Sequence, residues 1–149
     1  MDADEAAYRD FFDEYARTGK TPPLHDRIGL KLVQLTPTTV MTMELSDDVR
    51  GPVPGTVHGG ILATFADIAS AVSLWRSFDR SVQIPATTDM HMRYFQQPQG
   101  GPLRAEAVVV RAGKRLLSTE CSIEDVQGRL LARSTATYIL APFGPTPAT

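Results

Sequence analysis

The segment GGILATFADIASAVSLW, residues 59–75, is the one long apolar stretch of this sequence. It contains no proline, and its first basic neighbour is Arg76, just past its end. Apolar side chains recur on nearly every side of a helical wheel, so the segment reads as a buried helix of about four turns. One residue does not belong to that pattern: Asp67, set between Ala66 and Ile68. An unpartnered buried carboxylate is costly. Asp67 is therefore either held by hydroxyls such as those of Thr64 or Ser70, or turned to solvent, or kept for chemistry.

On either side of this helix the period shortens to two. Leu30, Leu32 and Leu35 suggest one strand, Thr36-Pro37 a turn, and Met41, Met43 and Leu45 a second strand. Asp47–Thr56, with two Asp, two Pro and two Gly, reads as a loop. After the polar connection Arg76–Arg80, a strand is expected over Ala86–Phe95, broken by Gln97–Pro102. Leu103, Ala105, Ala107 and Val109 alternate toward Arg111. Ala112-Gly113-Lys114 has hairpin chemistry, Leu117, Thr119, Cys121 and Ile123 alternate next, and Gln127-Gly128 is a second turn. Leu130, Ala132, Ser134, Ala136, Tyr138 and Leu140 make one face of the last strand. The last four strands, joined by short connections, read most simply as an antiparallel meander. With no second sheet to cover the helix, the sheet must wrap it, which makes the fold an α+β roll. At the N-terminus Tyr8, Phe11, Phe12 and Tyr15 form the stripe of a short packing helix stopped at Thr18-Gly19.

The chain has 149 residues, enough for one domain with its own core. With 42% apolar and 21% charged residues it is globular in composition, not disordered. A net charge of −2 provides no basic footprint for nucleic acid and no polybasic patch for a membrane. The single cysteine, Cys121, excludes an internal disulfide and a cysteine-based zinc cluster, and its alternating context marks it as a core residue. His25, His58 and His91 lack metal-ligand spacing, and the acidic opening MDADEAAYRD lacks the apolar core of a signal peptide. The expectation is a soluble, cytoplasmic protein without cofactor or metal.

The remaining candidates cluster around the helix start. In Gly55-Thr56-Val57-His58-Gly59-Gly60, two glycines at a helix mouth expose backbone N–H groups that no intrahelical acceptor satisfies. Aided by the helix dipole they could receive a developing oxyanion, or they could simply allow a tight turn. His58 reads as a base or as a hydrogen-bonding anchor of the loop. Asp89 and His91, alternating with Met90 and Met92, read as the polar face of a strand. Arg111, Lys114 and Arg115 crowd one hairpin, as an anion site or as an ordinary solvated turn.

GTVHGGILATFADIA resembles the signature of hotdog-fold acyl-CoA thioesterases of the phenylacetate-pathway (PaaI-like) type. The resemblance continues through ATTDMHMRYFQQP, the R-A-G-K hairpin and EDVQGRLLARSTATYIL, over residues 27–140. It implies a hotdog domain at 27–141, and leaves outside it the N-terminal helix and linker at 1–26 and a tail at 142–149 whose composition reads as mobile. It implies hydrolysis of an acyl-CoA thioester to free acid and CoA. The acidic helix residue, nucleophile or general base, matches Asp67. The oxyanion donor matches the Gly59 N–H, between His58 and Gly60, and the hydroxyl that places the water matches Thr87, next to Thr88. The family commonly carries Asn or Gln six residues before the histidine. This chain has Pro52 there, with Arg50 the nearest polar residue.

Asp67 lies eight residues beyond Gly59, a separation of ~12 Å along one helix. A thioester carbon must sit within ~3 Å of both the attacking group and the oxyanion donor. Two helices antiparallel across a dimer axis would bring them together, so a homodimer, or a homotetramer built from two, is expected. The basic hairpin would meet the CoA phosphates. The rival readings are a non-catalytic acyl-CoA sensor or carrier and a hotdog dehydratase. The latter usually needs a catalytic histidine paired with a helix acid, and no histidine follows His58 within the helix.

Overall fold

The computed structural model of the protein describes residues 2–18 and 24–142, without the side chains of Phe12 and residues 14–18. Of the expected linker, residues 19–23 lie outside the described residues while 24–26 are helical. Of the expected tail, Pro142 belongs to the last strand and 143–149 lie outside, as do the side chains of Phe12 and Tyr15.

The chain runs α1 (Ala3–Thr18), α2 (Leu24–Arg27), β1 (Leu30–Gln34), β2 (Thr39–Met43), a short 3₁₀ turn (Asp47–Val49), α3 (Gly59–Ser73), β3 (Gln83–Tyr94), β4 (Leu103–Ala112), β5 (Leu116–Glu124) and β6 (Leu130–Pro142). The six strands form one antiparallel sheet in the order β1-β2-β4-β5-β6-β3. The expected α+β roll, a hotdog sheet curled around one long helix, is what forms.

The order within the sheet differs from the meander expected for the last four strands. β3 pairs with β6 and never with β4, whose free side is taken by β2. The eight-residue connection 95–102 between β3 and β4 is long enough to cross between sheet positions, and a hairpin would have needed far fewer. β3 is left as a twelve-residue edge strand.

The helix fits closely because the strands facing it carry small side chains. Ala105 and Ala107 are fully buried, interleaved with Leu103, Ile123 and Leu131, and form one core with Leu62, Phe65, Ala66 and Ala69 from α3. Truncating Phe65 to alanine would cost ~3–5 kcal/mol, the usual loss for a filled core position. Burial is one-sided: Leu62, Phe65, Ala66, Ala69, Ser70 and Val72 are buried, whereas Asp67, Ile68 and Ala71 are only half-buried. That less covered stripe is where the acid sits.

α1 packs on this body through aromatic edges. The Tyr8 and Phe11 rings meet Trp75 edge-on at 5.2 and 6.0 Å between centroids. Asp4 pairs with Arg76 and Arg80, and Asp2 with Arg76. Cys121 lies in the core as expected, and burial, with Glu106 nearby, pushes its thiol up to about 12, so it is not a reactive thiolate. Among the described residues, no helix is long and apolar enough to cross a membrane.

Candidate active site

The mouth of α3 is built by its own loop. His58 is the N-cap, and its Nδ1 accepts a hydrogen bond from the Gly60 N–H at 3.0 Å. A Cβ at Gly60 would lie 3.1 Å from that nitrogen, so any larger residue would press the histidine ring back by a few tenths of an ångström and loosen the cap. His58 is thus a loop anchor, and the Gly60 N–H is already used. The Gly59 N–H has no acceptor among the described residues, whereas the Gly59 carbonyl accepts from Tyr94 Oη at 2.9 Å. Gln97 grips both backbone groups of Val57, through its Oε1 at 2.9 Å and its Nε2 at 3.4 Å, and steadies the approach to the turn. The open donor at this helix mouth is therefore Gly59, with the dipole behind it.

Two turns further on, the Asp67 side chain leaves the core side and meets the sheet. Its Oδ1 accepts from Thr87 Oγ1 at 2.7 Å and from Tyr138 Oη at 2.9 Å. The Tyr138 hydroxyl also lies 3.0 Å from the Asp67 carbonyl oxygen. Burial first, then the neighbouring Asp67 carboxylate, raises the Tyr138 phenol above its ordinary value, so it keeps its proton and donates. Asp67 Oδ2 has no hydrogen-bond partner among the described residues, so one oxygen is fixed and the other is available. The hydroxyls proposed from sequence do not hold it: Thr64 donates instead to the Gly60 carbonyl at 2.9 Å.

A register irregularity aims Thr87. The β3–β6 pairing matches Thr87 with Tyr138 and then jumps to Asp89 with Thr137, which places a bulge at Thr88. Thr87 and Tyr138 consequently share the helix-facing side. Thr88 does not join them, its hydroxyl donating to the Thr137 carbonyl at 3.1 Å.

Beyond Asp67 and Thr87 opens a largely apolar cavity of about 230 Å³. It follows α3 toward its C-terminal end, lined by Ile68, Val72 and Trp75 and by Tyr8 and Phe11 of α1, whose rings pack edge-on against Trp75. His25 also borders it, and burial lowers its pKa from 6.5, which favours the neutral ring.

Arg111, Lys114 and Arg115 are exposed at the β4–β5 hairpin. Leu117, two residues past Arg115, lies in one cross-sheet row with Tyr138 and Thr87, so the hairpin belongs to the Asp67 end of the fold. Arg50, the residue nearest Pro52 that could stand in for the missing amide, is exposed and pairs with Asp47 at 3.0 Å. Asp89 and His91 are exposed, as a polar strand face requires. Among the described residues, no three His, Cys, Asp or Glu side chains are grouped to hold a metal ion.

Tyr138 and the α1 wall are the parts that sequence reasoning missed. Tyr138 carried a usable signal: a tyrosine in the inward register of an apolar strand needs a partner for its hydroxyl.

The family model described as the thioesterase superfamily matches residues 54–132, just over half of the chain. A Halobacterium salinarum protein whose name assigns it provisionally to the esterases is 38% identical over 75 residues, covering 50% of this chain and 49% of that protein. The aligned part spans about half to three fifths of the length of the curated relatives it matches. Among solved structures, a mutant of the phenylacetic acid degradation protein PaaI from Thermus thermophilus is 28% identical with a TM-score of 0.66, over 78% of this chain and 97% of that one. A thioesterase family protein from Silicibacter pomeroyi, 21% identical, shares the fold with a TM-score of 0.75 over 88% and 95% of the two chains.

Proposed function

The chain belongs to the thioesterase superfamily, and from that membership we propose that it hydrolyses an acyl-CoA thioester to free acid and CoA, as an enzyme of the phenylacetate-pathway (PaaI-like) type. The observation that carries the reading is the half-engaged carboxylate: Asp67 Oδ1 tied to Thr87 and Tyr138, Oδ2 open, at the rim of an apolar cavity. A binding pocket alone gains nothing from an acid fixed in this way. The 28% identity to the Thermus thermophilus protein supports the type.

Oδ2 takes a proton from a water that attacks the thioester carbonyl carbon, or attacks that carbon itself. In either route the carbonyl π electrons move onto oxygen, and the Gly59 N–H donates to the resulting oxyanion. The C–S bond breaks as the intermediate collapses. In the water route, the thiolate of CoA leaves and recovers the proton held on Asp67. In the direct route an anhydride forms, which water then opens. Thr87 holds the carboxylate, or the water, in line.

Gly59 and Asp67 both lie on α3, ~12 Å apart along its axis, so the donor comes from a second copy and the working unit is a homodimer or homotetramer. The unpaired edge of β3 is a surface that such a partner would cover. Arg111, Lys114 and Arg115 neutralise the CoA phosphates at the surface. We propose the cytoplasm as its location, in keeping with a chain that carries a single cysteine and forms no disulfide within itself.

Turnover of a panel of acyl-CoA thioesters, followed by trapping the released thiol with a chromogenic disulfide, tests the reading. Release above background with at least one acyl group is expected. Binding of acyl-CoA without release across the panel would make the protein a carrier or sensor.

A further inference from the structure

The cavity beside Asp67 has a wall that the thioesterase superfamily match does not contain. That match begins at residue 54, whereas Tyr8 and Phe11 come from α1. We infer that α1 closes the acyl pocket and that Phe11 sets the largest acyl group the site accepts; this rests on the thioesterase reading above.

Asp67 and Thr87 stand at one part of the cavity wall and Trp75, two residues past the end of α3, at another; the six helical steps from Asp67 to Ser73 alone span ~9 Å. An acyl chain with its carbonyl at Asp67 therefore points at Trp75 and at the two α1 rings packed edge-on against it. An apolar cavity of roughly 150 Å³ holds benzene, so the 230 Å³ here takes an acyl group moderately bulkier than that ring. Growth beyond this size meets α1. Tyr8 is buried, but Phe11 is 36% exposed, so its ring is the thinner part of the wall and can be altered at lower cost to the core. The helix is held in place by charge: Asp4 pairs with Arg76 and with Arg80, which itself lines the cavity, and the Arg80 guanidinium lies 4.6 Å over the Trp75 ring. The last turn of α3, the segment after it and α1 are thus clamped together around the end of the pocket.

Trp75 is the only tryptophan of the chain, so its fluorescence reports occupancy of this pocket without any turnover. The test titrates straight-chain free acids, from butanoic to dodecanoic, against that fluorescence in wild type and Phe11→Ala, and by calorimetry in wild type, Phe11→Ala and Phe11→Trp, whose added indole would mask the Trp75 signal. Each methylene that fits should tighten binding roughly fourfold until the pocket is full. Phe11→Ala should move that limit to a longer acid, strengthening binding of acids just beyond the wild-type limit about tenfold. Phe11→Trp should move it to a shorter one. Opposite shifts from two substitutions at one position are not what lost stability produces. An unmoved limit in both variants, or no fluorescence response to any acid, overturns the inference. Running the same three proteins on the matching acyl-CoA esters separates the two claims. A shifted binding limit with no thiol release sinks the hydrolase reading and leaves the pocket assignment standing, and turnover with an unmoved limit does the reverse.

Discussion

Thr87 and Tyr138 face each other across the β3–β6 pairing, and their hydroxyls donate to the same oxygen of Asp67, at 2.7 and 2.9 Å. Two strands distant in sequence thereby fix one carboxylate from the sheet side, while the helix carries it. The arrangement separates holding the acid from using it, because the second oxygen is left out of the holding.

Asp67→Asn keeps an Oδ1 that can accept both hydroxyls and removes the basic oxygen. We expect kcat to fall ~10²–10⁴-fold, the usual range for a lost general acid–base group, with thermal unfolding little changed. If the residue were only structural, the unfolding midpoint would drop while turnover per folded molecule stayed intact. Both measurements on one preparation decide.

Tyr138→Phe deletes one donor and keeps the ring in the core. Loss of a hydrogen bond to a charged group should cost roughly 1.5–3 kcal/mol of stability. The carboxylate is then held by Thr87 alone, and kcat should fall by about 10- to 100-fold through misplacement, with KM for acyl-CoA unchanged. A raised KM at constant kcat would mean that Tyr138 serves binding and not the aim of the acid.

Thr87→Ala should reduce kcat less than Asp67→Asn, since a hydroxyl can orient a carboxylate or a water but cannot activate one unaided. Thr87→Ser should recover most of the loss. A Thr87→Ala defect as deep as that of Asp67→Asn would show that the roles are misassigned.

Lys114→Ala and Arg115→Ala should each raise KM for acyl-CoA at low ionic strength and leave kcat alone. Added salt should shrink the difference as it screens these exposed charges over a Debye length of ~8–10 Å. Equal KM values at low salt would remove the hairpin from the CoA site.

His25 has a pKa lowered from 6.5 by burial, against the opposing pull of Asp26. The unfolded chain therefore binds the proton more readily than the native one, and this residue makes stability rise with pH from its lowered value up to about 6.5. Thermal unfolding of the wild type should lose ground as pH falls through that window. His25→Gln should flatten the dependence, and an unaltered slope would show that the proton goes elsewhere.

The helix, the alternating strands and the acid in the wrong place were legible from sequence because each is a local pattern. Gly59–Ser73 forms close to the expected 59–75 segment, and the alternation of β5 and β6, and of β4 as far as Ala107, translates into buried and exposed faces. Val109, expected on the apolar face, is instead exposed, because the end of β4 runs past the helix it would cover. The sheet order was not legible. Alternation tells which side of a strand is apolar and carries no information on which neighbour completes its hydrogen bonds, so the departure of β4 from β3 to β2 left no mark in the pattern. The partners of Asp67 were half legible: Thr87 through the family resemblance, and Tyr138 only as an inward-facing residue.

By itself the sequence determined that a nearly all-apolar helix with one carboxylate would be wrapped by a sheet, because hydrophobic periodicity follows from local chain geometry. It also determined that the mouth of that helix would offer backbone donors, because two glycines follow His58 there. Only the tertiary structure decided which oxygen of Asp67 is tied down, that the bulge at Thr88 turns Thr87 toward the helix, and that α1 supplies a wall of the cavity. Those outcomes depend on strand register and on the docking of elements 20 to 71 residues apart in the chain. Such contacts are selected by the packing of the whole core, and no short stretch of residues encodes them.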